Sequence, residues 1–564
     1  MKLYQKDFKY GSLRILKPGI YELAENIKFR PNPKLSFYPR SNDELYSDPA
    51  YILGFFTAIS VECDNVCIDL GGYELSYAED YCLQQRYGSL IELSNTPFPP
   101  GMGPANFGPK LISANSVIIR NGKLGLTSHH GIHGNNCDKI KIEKCTVYNF
   151  EVAGISLNGC TNVDVTNVKI GPNRQNIPVL GTYSHARFLL YLSKAFCKHN
   201  ETKLSEEDKQ KIEVCSYALE KCISKVKWEI EKYGKTSNKL FANPTGLLDS
   251  NCYGICIYPK GIAVHDLVDD SYAQDMSSNI KICNVEICNI KCKTAEIPSI
   301  SEKNGDFVQF DIAGGVFQIL KCLDSNGYYK PNELSELQLA LAQPSLKFGN
   351  MTITKDVVEW AQSGKHVSKI FTQSNSQYRY RCGGDVMFHL AKGAIGLRVD
   401  GTCGLQIKNV TISGVKNYAR LGNAKLNGKY TFSHTYQSRP MYHGSDAIGL
   451  SLSHVSSSKI TNLSISDIRS LNGMSCGLYT YSKCKKITFC NINVRNVRSG
   501  CYKNGKVWYG IGFNGKKVKY RDFKPNGMPT AYGIYFSSGL TRCKKRRIRI
   551  SKILGPKHHK LYYY

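Results

Sequence analysis

The sequence lacks a hydrophobic stretch of the length that a membrane span requires. No run approaches the roughly 18 apolar residues of a membrane-spanning helix. The segment from Met1 to Tyr10 carries charges where a secretion signal would need an apolar core. We therefore expect a soluble protein without a signal peptide, synthesised in the cytoplasm.

Proline is also scarce, at 21 of 564 residues, whereas 42% of the residues are hydrophobic. A disordered chain has too little apolar material to form a core, so this composition predicts an ordered protein. The chain is longer than a single ordinary core supports, which leaves either several domains or one array of repeats.

Acidic residues are missing from Thr541 to Lys560, within a chain whose net charge is +29. The basic residues of this segment are Arg542, Lys544, Lys545, Arg546, Arg547, Arg549, Lys552, Lys557 and Lys560. Such a field attracts polyanions, which include nucleic acid, acidic polysaccharide and acidic protein surfaces. The alternative is a solvated basic tail that keeps a large protein soluble. No recognisable nucleic-acid-binding module accompanies it.

What the sequence does contain is a repeated glycine that opens a short alternating strand. These glycines are Gly131, Gly154, Gly254, Gly396, Gly449, Gly477 and Gly533. Second and third alternating runs follow most of them, such as Ile140 to Ile142 and Cys145 to Val147. The 23 residues from Gly131 to Gly154 are too few for a βαβ unit, so each repeat buries its inward residues only by stacking on its neighbours. The pattern predicts an all-β fold, a right-handed parallel β-helix or single-stranded solenoid.

Two interruptions break the repeats. The helical spacing of Ile212, Leu219 and Val226 predicts a helical insertion, and a second insertion should hold short helices at 331–342 and 355–362. The predicted divisions are an N-terminal capping region 1–58, first coils 59–182, a helical insertion 183–240, further coils 241–297, a second insertion 298–393, C-terminal coils 394–540 and a basic tail 541–564.

The cysteines fit the repeats. Cys137, Cys160, Cys403 and Cys484 lie six or seven residues beyond their glycines. A ladder of inward, reduced thiols explains this better than a metal site, whose ligands would cluster with tetrahedral spacing.

Two segments near the N-terminus, Ile15-Leu-Lys-Pro-Gly-Ile-Tyr-Glu-Leu23 and Val66-Cys-Ile-Asp-Leu-Gly-Gly-Tyr-Glu-Leu75, resemble the opening of proteins in the pectate-lyase-like β-helix superfamily. With the Gly-Ile repeats, the resemblance covers about two thirds of the chain. It implies the fold and a first element that caps the solenoid. It does not select a chemistry, because the superfamily includes lyases, hydrolases, epimerases, adhesins and viral spikes.

Alternation places one residue of each glycine strand on the outer face, where enzymes of this superfamily commonly form the substrate groove. The predicted column is His133, Ser156, Cys256, Arg398, Ser451, Tyr479 and Tyr535. We expect Ser156, Ser451, Tyr479 and Tyr535 to bind substrate, with aromatic stacking between the repeats as the alternative role of the tyrosines.

Three imidazoles lie close together in sequence at His129, His130 and His133, and Glu151 follows one repeat later. A general base tuned near neutral pH and a metal site are both compatible with this group. The alternative is a set of exposed polar histidines at a corner. No His-Glu-x-x-His motif is present, so no metal is predicted from the spacing.

A second polar group contains Arg398, Asp400, His443 and Asp446. The resemblance implies two chemistries: lyases use an arginine and carboxylates that bind a uronate through a cation such as calcium, and hydrolases use a carboxylate pair. Neither family pattern is matched, and surface ion pairs between repeats are the structural alternative. Calcium is therefore expected only if the protein is a lyase.

Several functions stay open. The first is a protein that binds acidic polysaccharide and, if it is an enzyme, cleaves it as a lyase or glycoside hydrolase. The second is a non-enzymatic virion, surface or adhesion component, because the Lys-, Asn-, Tyr- and Cys-rich composition resembles that of large DNA viruses that assemble in the cytoplasm. That alternative implies homo-oligomers or incorporation into a virus particle. Nucleic-acid binding through the basic tail is the third.

Overall fold

The computed structural model describes residues 1–9, 11–30, 57–82, 88–95, 111–173, 252–259, 276–293, 393–418, 446–471, 473–481, 483–503 and 530–563, with isolated short stretches elsewhere. These residues confirm the prediction of an all-β chain, since 26 strands form one sheet. The helical elements within these continuous ranges are the 3-10 turn Gln5–Phe8 and the single α-helical turn Glu79–Cys82. The helices predicted at 331–342 and 355–362 and the helical insertion predicted at 183–240 lie outside these ranges.

The strands that carry the repeated glycines pair in parallel with one another and with four strands at the two ends that lack this glycine, and we call the whole series the glycine stack. In order they are Leu13–Ile15, Ile59–Val61, Ser89–Glu92, His130–Asn135, Ala153–Asn158, Cys252–Tyr258, Ala394–Cys403, Ala447–Ser470, Ser475–Tyr481, Thr530–Phe536 and Lys557–Tyr563.

The remaining strands of the sheet form a second and a third parallel stack. The second contains Lys2–Leu3, Gly19–Leu23, Val66–Asp69, Val117–Leu124, Asp138–Val147, Thr161–Thr166, Ser277–Cys288, Gln406–Ser413, Lys485–Ser499 and Lys544–Leu554. The third contains the C-terminal ends of the longer strands, which continue past a corner. It also contains the short strands Ile27–Phe29, Glu74–Tyr77, Lys169–Ile170, Lys291–Lys293 and Lys416–Tyr418. The chain visits the three stacks in turn, and we call one such visit a repeat.

Small separate sheets complete the described strands. They are formed by Leu346–Phe348 with Met351–Ile353, by Lys425–Leu426 with Lys429–Thr431 and Phe523–Lys524, and by Cys501–Lys503 with Val507–Ile511 and Lys517–Lys519.

Alternation in the strands builds one continuous core between the stacks. The inward residues of the glycine stack are fully buried at Ile132, Ile155, Ile255, Leu397, Leu450, Leu478 and Ile534. The core cluster extends from Leu3 to Ile553. Burying a branched aliphatic side chain contributes roughly 1.5–3 kcal/mol, so each repeat is stabilised chiefly by its contact with the next.

The repeated glycines mark a close approach of backbones. A Cβ atom on Gly254 would lie 2.4 Å from the carbonyl oxygen of Gly396, and the equivalent distances from Gly131 to Gly477 all lie between 2.4 and 2.7 Å. Real Cβ atoms do not come this close to an oxygen. Glycine is therefore required because a side chain would collide with the backbone of the next repeat.

The corner between the second and third stacks is built from residues with positive φ. They are Asn121, Lys144, Asn167, Asn284, Asn409, Asn462, Asn491 and Arg547. Asparagine tolerates this conformation better than other residues with a Cβ. Its side chains also form a ladder, in which Asn462 donates to Asn409 at 2.8 Å and accepts from Asn491 at 2.8 Å.

The predicted thiol ladder is correct at Cys137, Cys160 and Cys484, which belong to the core, and wrong at Cys403. Thr402 takes the inward place instead, in register with Ser277 and Val455. Cys403 and Cys484 both lie seven residues beyond their glycines, but the inward place is six residues after Gly396 and seven after Gly477, and a shift of one position turns a strand side chain to the other face. All described cysteines are free, and none is exposed.

The two ends of the described stacks differ. At the first repeat, Phe8 is fully buried and its ring packs edge-on against Phe29 at 6.4 Å. At the last repeat, the segment predicted to be a basic tail forms Lys544–Leu554 and Lys557–Tyr563, which continue the stacks. The basic residues from Lys544 to Lys560 thus belong to the sheet, and Arg542 lies just before it.

Candidate functional site

The outer column predicted from the sequence is in register. His133 lies beside Ser156, and the series continues through Cys256, Arg398, Ser451, Tyr479 and Tyr535. It extends beyond the prediction to Arg14, Ser60 and Glu92 before His133 and to Tyr562 after Tyr535. We keep the name outer column for this whole series.

The outer column is buried over most of its length. From Ser60 to Ser451 none of its residues is more than 6% exposed, whereas Tyr479 and Tyr535 are half-buried. The alternative that the histidines are exposed is wrong, since His130 and His133 are 8% and 5% exposed. His129, with 18% of its side chain exposed, is the most accessible of the three.

His133 is held by a carboxylate that the sequence did not suggest. Its Nδ1 atom lies 2.8 and 2.9 Å from the two carboxylate oxygens of Glu92, one repeat earlier. Ser89 and Ser94 donate to the same carboxylate at 2.8 and 3.0 Å. Because an ionised carboxylate only accepts hydrogen bonds, Nδ1 carries the hydrogen and neutral His133 has its lone pair on Nε2.

The other ring nitrogen faces the next repeat. Asn158 Nδ2 lies 3.2 Å from His133 Nε2 and also donates to Asn135 Oδ1 at 2.8 Å. The imidazole therefore has a partner on each side, which fixes both its orientation and its tautomer.

The three histidines and Glu151 do come together. The rings of His129 and His130 are 4.0 Å apart, and those of His130 and His133 stack at 4.8 Å with an interplanar angle of 13°. His129 Nδ1 lies 4.0 Å from a buried oxygen of Glu151. We call His129, His130, His133, Glu92 and Glu151 the histidine cluster.

Arg398 and Asp400 form a buried ion pair within one strand rather than a surface pair between repeats. The guanidinium donates to Asp400 Oδ2 at 2.8 Å from Nε, and an Nη atom is 2.6 Å from the same oxygen. It also lies over the ring of Tyr258 at 5.3 Å. Burial raises the pKa of Asp400 although Arg398 opposes that change, and Oδ1 has no hydrogen-bond partner within the described part of the chain.

The rest of the second polar group does not assemble around this pair. Asp446 accepts a hydrogen bond from the Met474 backbone at 2.8 Å and precedes the strand Ala447–Ser470, in which Ser451 lies beside Arg398. Five strand residues correspond to about 16 Å. His443 lies outside the described residues.

The two polar groups share one face but not one cleft. His133 and Arg398 are separated along the outer column by Ser156 and Cys256, hence by three repeats. At about 4.8 Å per repeat the separation is about 14 Å. A single small substrate group cannot contact both.

The tyrosines stack on one another at the far end of the outer column. Ring centroids are 4.9 Å apart for Tyr479 and Tyr535 and 5.1 Å for Tyr535 and Tyr562. Tyr532 packs beside them, 5.2 Å from Tyr535. The ring faces pack against one another between repeats, which is the alternative role that the sequence predicted for the tyrosines. Burial raises the pKa of Tyr479 and of Tyr532, so both remain neutral phenols that can donate hydrogen bonds.

No group of three or more His, Cys, Asp or Glu side chains in the described ranges is arranged to hold a metal ion. Across the same ranges, no helix has the length and apolar character needed to cross a membrane.

Glu92 and Asn158 are the site residues missed from sequence. Glu92 lies in the alternating run from Ser89 to Ser94, which lacks the glycine that marks the equivalent strands of later repeats. Alternation alone would have placed it in the outer column. Asn158 lies two residues beyond the predicted Ser156 on the same face.

No protein-family model matches the chain, and no curated protein matches it. Among solved structures it is similar to two mutant forms of the periplasmic alginate epimerase AlgG, at 7% identity, with TM-scores of 0.30 and 0.28. Those alignments cover 95% and 98% of this chain and 75% and 76% of the epimerase. It is also similar to tailspike protein 3 of bacteriophage CBA120, at 10% identity and a TM-score of 0.20, over 94% of this chain and 56% of the tailspike. Likeness this distant carries no functional argument.

Proposed function

We propose that the protein is a right-handed parallel β-helix that binds an acidic polysaccharide along the outer column and cleaves it with His133 as general base. The parallel stacks, visited in turn, support the fold, because connections between parallel strands are almost always right-handed. The observation that carries the function is the buried contact between Glu92 and His133.

The geometry suits proton abstraction. When His133 Nε2 takes a proton, the imidazolium is stabilised by the Glu92 carboxylate that already holds Nδ1. Ser89 and Ser94 keep that carboxylate in place. Because His133 is only 5% exposed, substrate binding would have to displace the Asn158 amide so that a substrate proton can reach Nε2.

The single base formed by His133 and Glu92 favours elimination, and the carboxylates of the two polar groups are too far apart to act as a hydrolytic pair. Glu92 and Asp400 lie on repeats that are four apart, about 19 Å at 4.8 Å per repeat. Glycosidase carboxylate pairs are about 5–10 Å apart. A single base suits a uronate: it removes the hydrogen beside the carboxylate, a carbon–carbon double bond forms, and the glycosidic oxygen leaves and takes up a proton.

Charge and the tyrosines support an acidic glycan. The net charge of +29 raises the local concentration of a polyanion. Tyr479 and Tyr535 are half-buried at the more accessible end of the outer column, where the phenol hydroxyl of Tyr479, whose pKa is raised by burial, can donate a hydrogen bond to a sugar chain.

The test is an ultraviolet assay for unsaturated sugar ends on a panel of polyuronates, with binding measured by calorimetry. We expect activity from the wild type, a loss of at least about 100-fold in His133→Gln because general bases contribute that much, and binding by both proteins. His558→Gln, an exposed histidine, is the matched control. Full activity in His133→Gln would refute the assignment of the base. Wild-type protein that neither binds nor cleaves any polyuronate would favour the non-enzymatic virion or adhesion alternative.

A further inference from the structure

The last described repeat leaves its apolar interior open. Leu561 and Tyr563 lie beside Ile534 and Phe536 in the inward columns of the glycine stack. The inner pair is fully buried, whereas Leu561 and Tyr563 are 42% and 57% exposed. At the opposite end, Phe8 covers the first repeat. The last repeat has no such cover among the described residues.

The same repeat offers backbone for pairing. Lys544–Leu554 pairs with Lys485–Ser499 on one side, and Lys557–Tyr563 pairs with Thr530–Phe536 on one side. Within the described part of the chain no strand pairs with the other side of either. Such an edge binds an added strand through main-chain hydrogen bonds.

Its charge is positive at corner positions that are neutral in the preceding repeat. The corner residues Arg547 and Lys552 occupy places held by Asn491 and Asn496 one repeat before, all with positive φ. Arg546 and Arg549 are exposed on the same strand.

One cation even takes an inward place. The column that holds Ile460 and Phe489 ends in Lys545, whose Nζ lies 4.1 Å from the ring centroid of Phe536. An inward charge on an edge strand discourages pairing with an apolar strand. It favours a strand that brings acidic side chains.

These features also exclude a second copy. The last repeat of another molecule would bring the same cations, and its first repeat is covered by Phe8 and carries Lys6 and Lys9 beside Asp7, with Lys2 already paired to Glu22. Like charges on both sides oppose such a contact.

We propose that the last repeat is a docking edge for an acidic segment of a partner protein, which adds a strand over Leu561, Tyr563 and Lys545. The proposal uses residues outside the histidine cluster and is independent of the function proposed above. It combines an open edge, an uncovered apolar interior and a set of cations.

The probe is a fluorescent synthetic peptide of alternating Glu and Val, with binding measured by anisotropy. Comparison probes are the same peptide N-methylated at every second residue, polyglutamate, and heparin. We expect the alternating peptide to bind at least about tenfold more tightly than its N-methylated form, a difference of about 1.4 kcal/mol. Equal binding of the two peptides, or tighter binding of polyglutamate or heparin, would mean attraction by charge alone and would overturn strand addition.

Variants locate the site. Arg546→Glu with Arg549→Glu should weaken peptide binding at least about tenfold, whereas Arg495→Glu, one repeat earlier and also exposed, should not. Polyuronate cleavage should be unchanged in the double variant. Equal weakening by Arg495→Glu would place the peptide elsewhere and contradict the proposal.

Discussion

At the scale of single residues, the outer column contains side chains held in different ways. His133 has a partner on each ring nitrogen, and its carboxylate partner receives hydrogen bonds from Ser89 and Ser94. Arg398 is tied to Asp400 in its own strand. Of the two, only His133 has a nitrogen, Nε2, whose neutral partner, the Asn158 amide, can be replaced by a substrate proton.

Glu92→Gln should destabilise the fold and slow cleavage. Three donors point at the carboxylate, and an amide would place its own N–H groups against some of them, which costs about 1–3 kcal/mol. Urea denaturation measures the change in the free energy of unfolding. Glu286→Gln, an exposed carboxylate, should change it by less than about 0.5 kcal/mol. Equal stability of Glu92→Gln and wild type would argue against the observed contacts.

His454 should make the protein less stable at mildly acidic pH. Burial lowers its pKa below the ordinary 6.5, although Asp400 opposes the change. The unfolded chain then binds a proton more readily than the folded one, so stability contributed by neutral His454 is present above pH 6.5 and is lost as pH falls through that value. Asparagine suits the positive φ of this residue. In denaturation at several pH values, His454→Asn should therefore lose less stability than the wild type between about pH 7 and pH 5; parallel curves would contradict this.

At the scale of strands, the glycine pattern identified the elements because it reflects contact between backbones. Alternation then predicted the register from His133 to Tyr535 correctly. The weak step was to decide which face of the strand a side chain takes after a corner, as the error at Cys403 shows. One residue more or less before the corner turns the side chain to the opposite face. The asparagines with positive φ recur as regularly at the corners between the second and third stacks, and they mark the repeats independently of the glycines.

Gly254→Ala should destabilise the protein strongly. The added methyl group would meet the Gly396 carbonyl oxygen at 2.4 Å, and overpacking of this kind costs about 1–3 kcal/mol or more. Thermal and urea unfolding measure the loss. Ser156→Ala, on the outer face of the neighbouring strand, is the control and should cost less. Wild-type stability of Gly254→Ala would mean that the stacked backbones are farther apart.

Asn462 allows the corner conformation and the side-chain ladder to be separated. Asn462→Gly keeps the positive φ accessible and removes the ladder bonds, whereas Asn462→Ala removes both. After allowance for the different backbone flexibility of alanine and glycine, we expect Asn462→Ala to lower the free energy of unfolding by about 1–2 kcal/mol more than Asn462→Gly does. The reason is that a left-handed backbone is strained in residues with a Cβ. Equal unfolding free energies for the two variants would show that φ at this corner is not constrained.

At the scale of the whole molecule, spacing in sequence is a poor guide to spacing along the stacks. Gly154 and Gly254 are 100 residues apart, yet their strands are direct neighbours. Inserted chain adds no repeat, so the sequence could not say how far His133 lies from Arg398. The structure shows that they lie three repeats apart on one face.

Salt should weaken polyuronate binding but not binding of a neutral glucan of similar length. The attraction comes from the excess of Lys and Arg, and the screening length falls from about 10 Å to about 3 Å between 0.1 and 1 M salt. Calorimetric titrations at both salt concentrations measure this. A polyuronate affinity that is independent of salt would exclude the basic charge as a source of binding.

The central claim, that His133 removes a carbon-bound proton from a uronate, is tested most directly by a kinetic isotope effect. Polyuronate deuterated beside its carboxylate would be compared with the ordinary polymer in the ultraviolet assay. We predict slower cleavage of the deuterated polymer by the wild type and at least about 100-fold slower cleavage of both polymers by His133→Gln. Equal rates on the two polymers, or new reducing ends without unsaturated product, would contradict it.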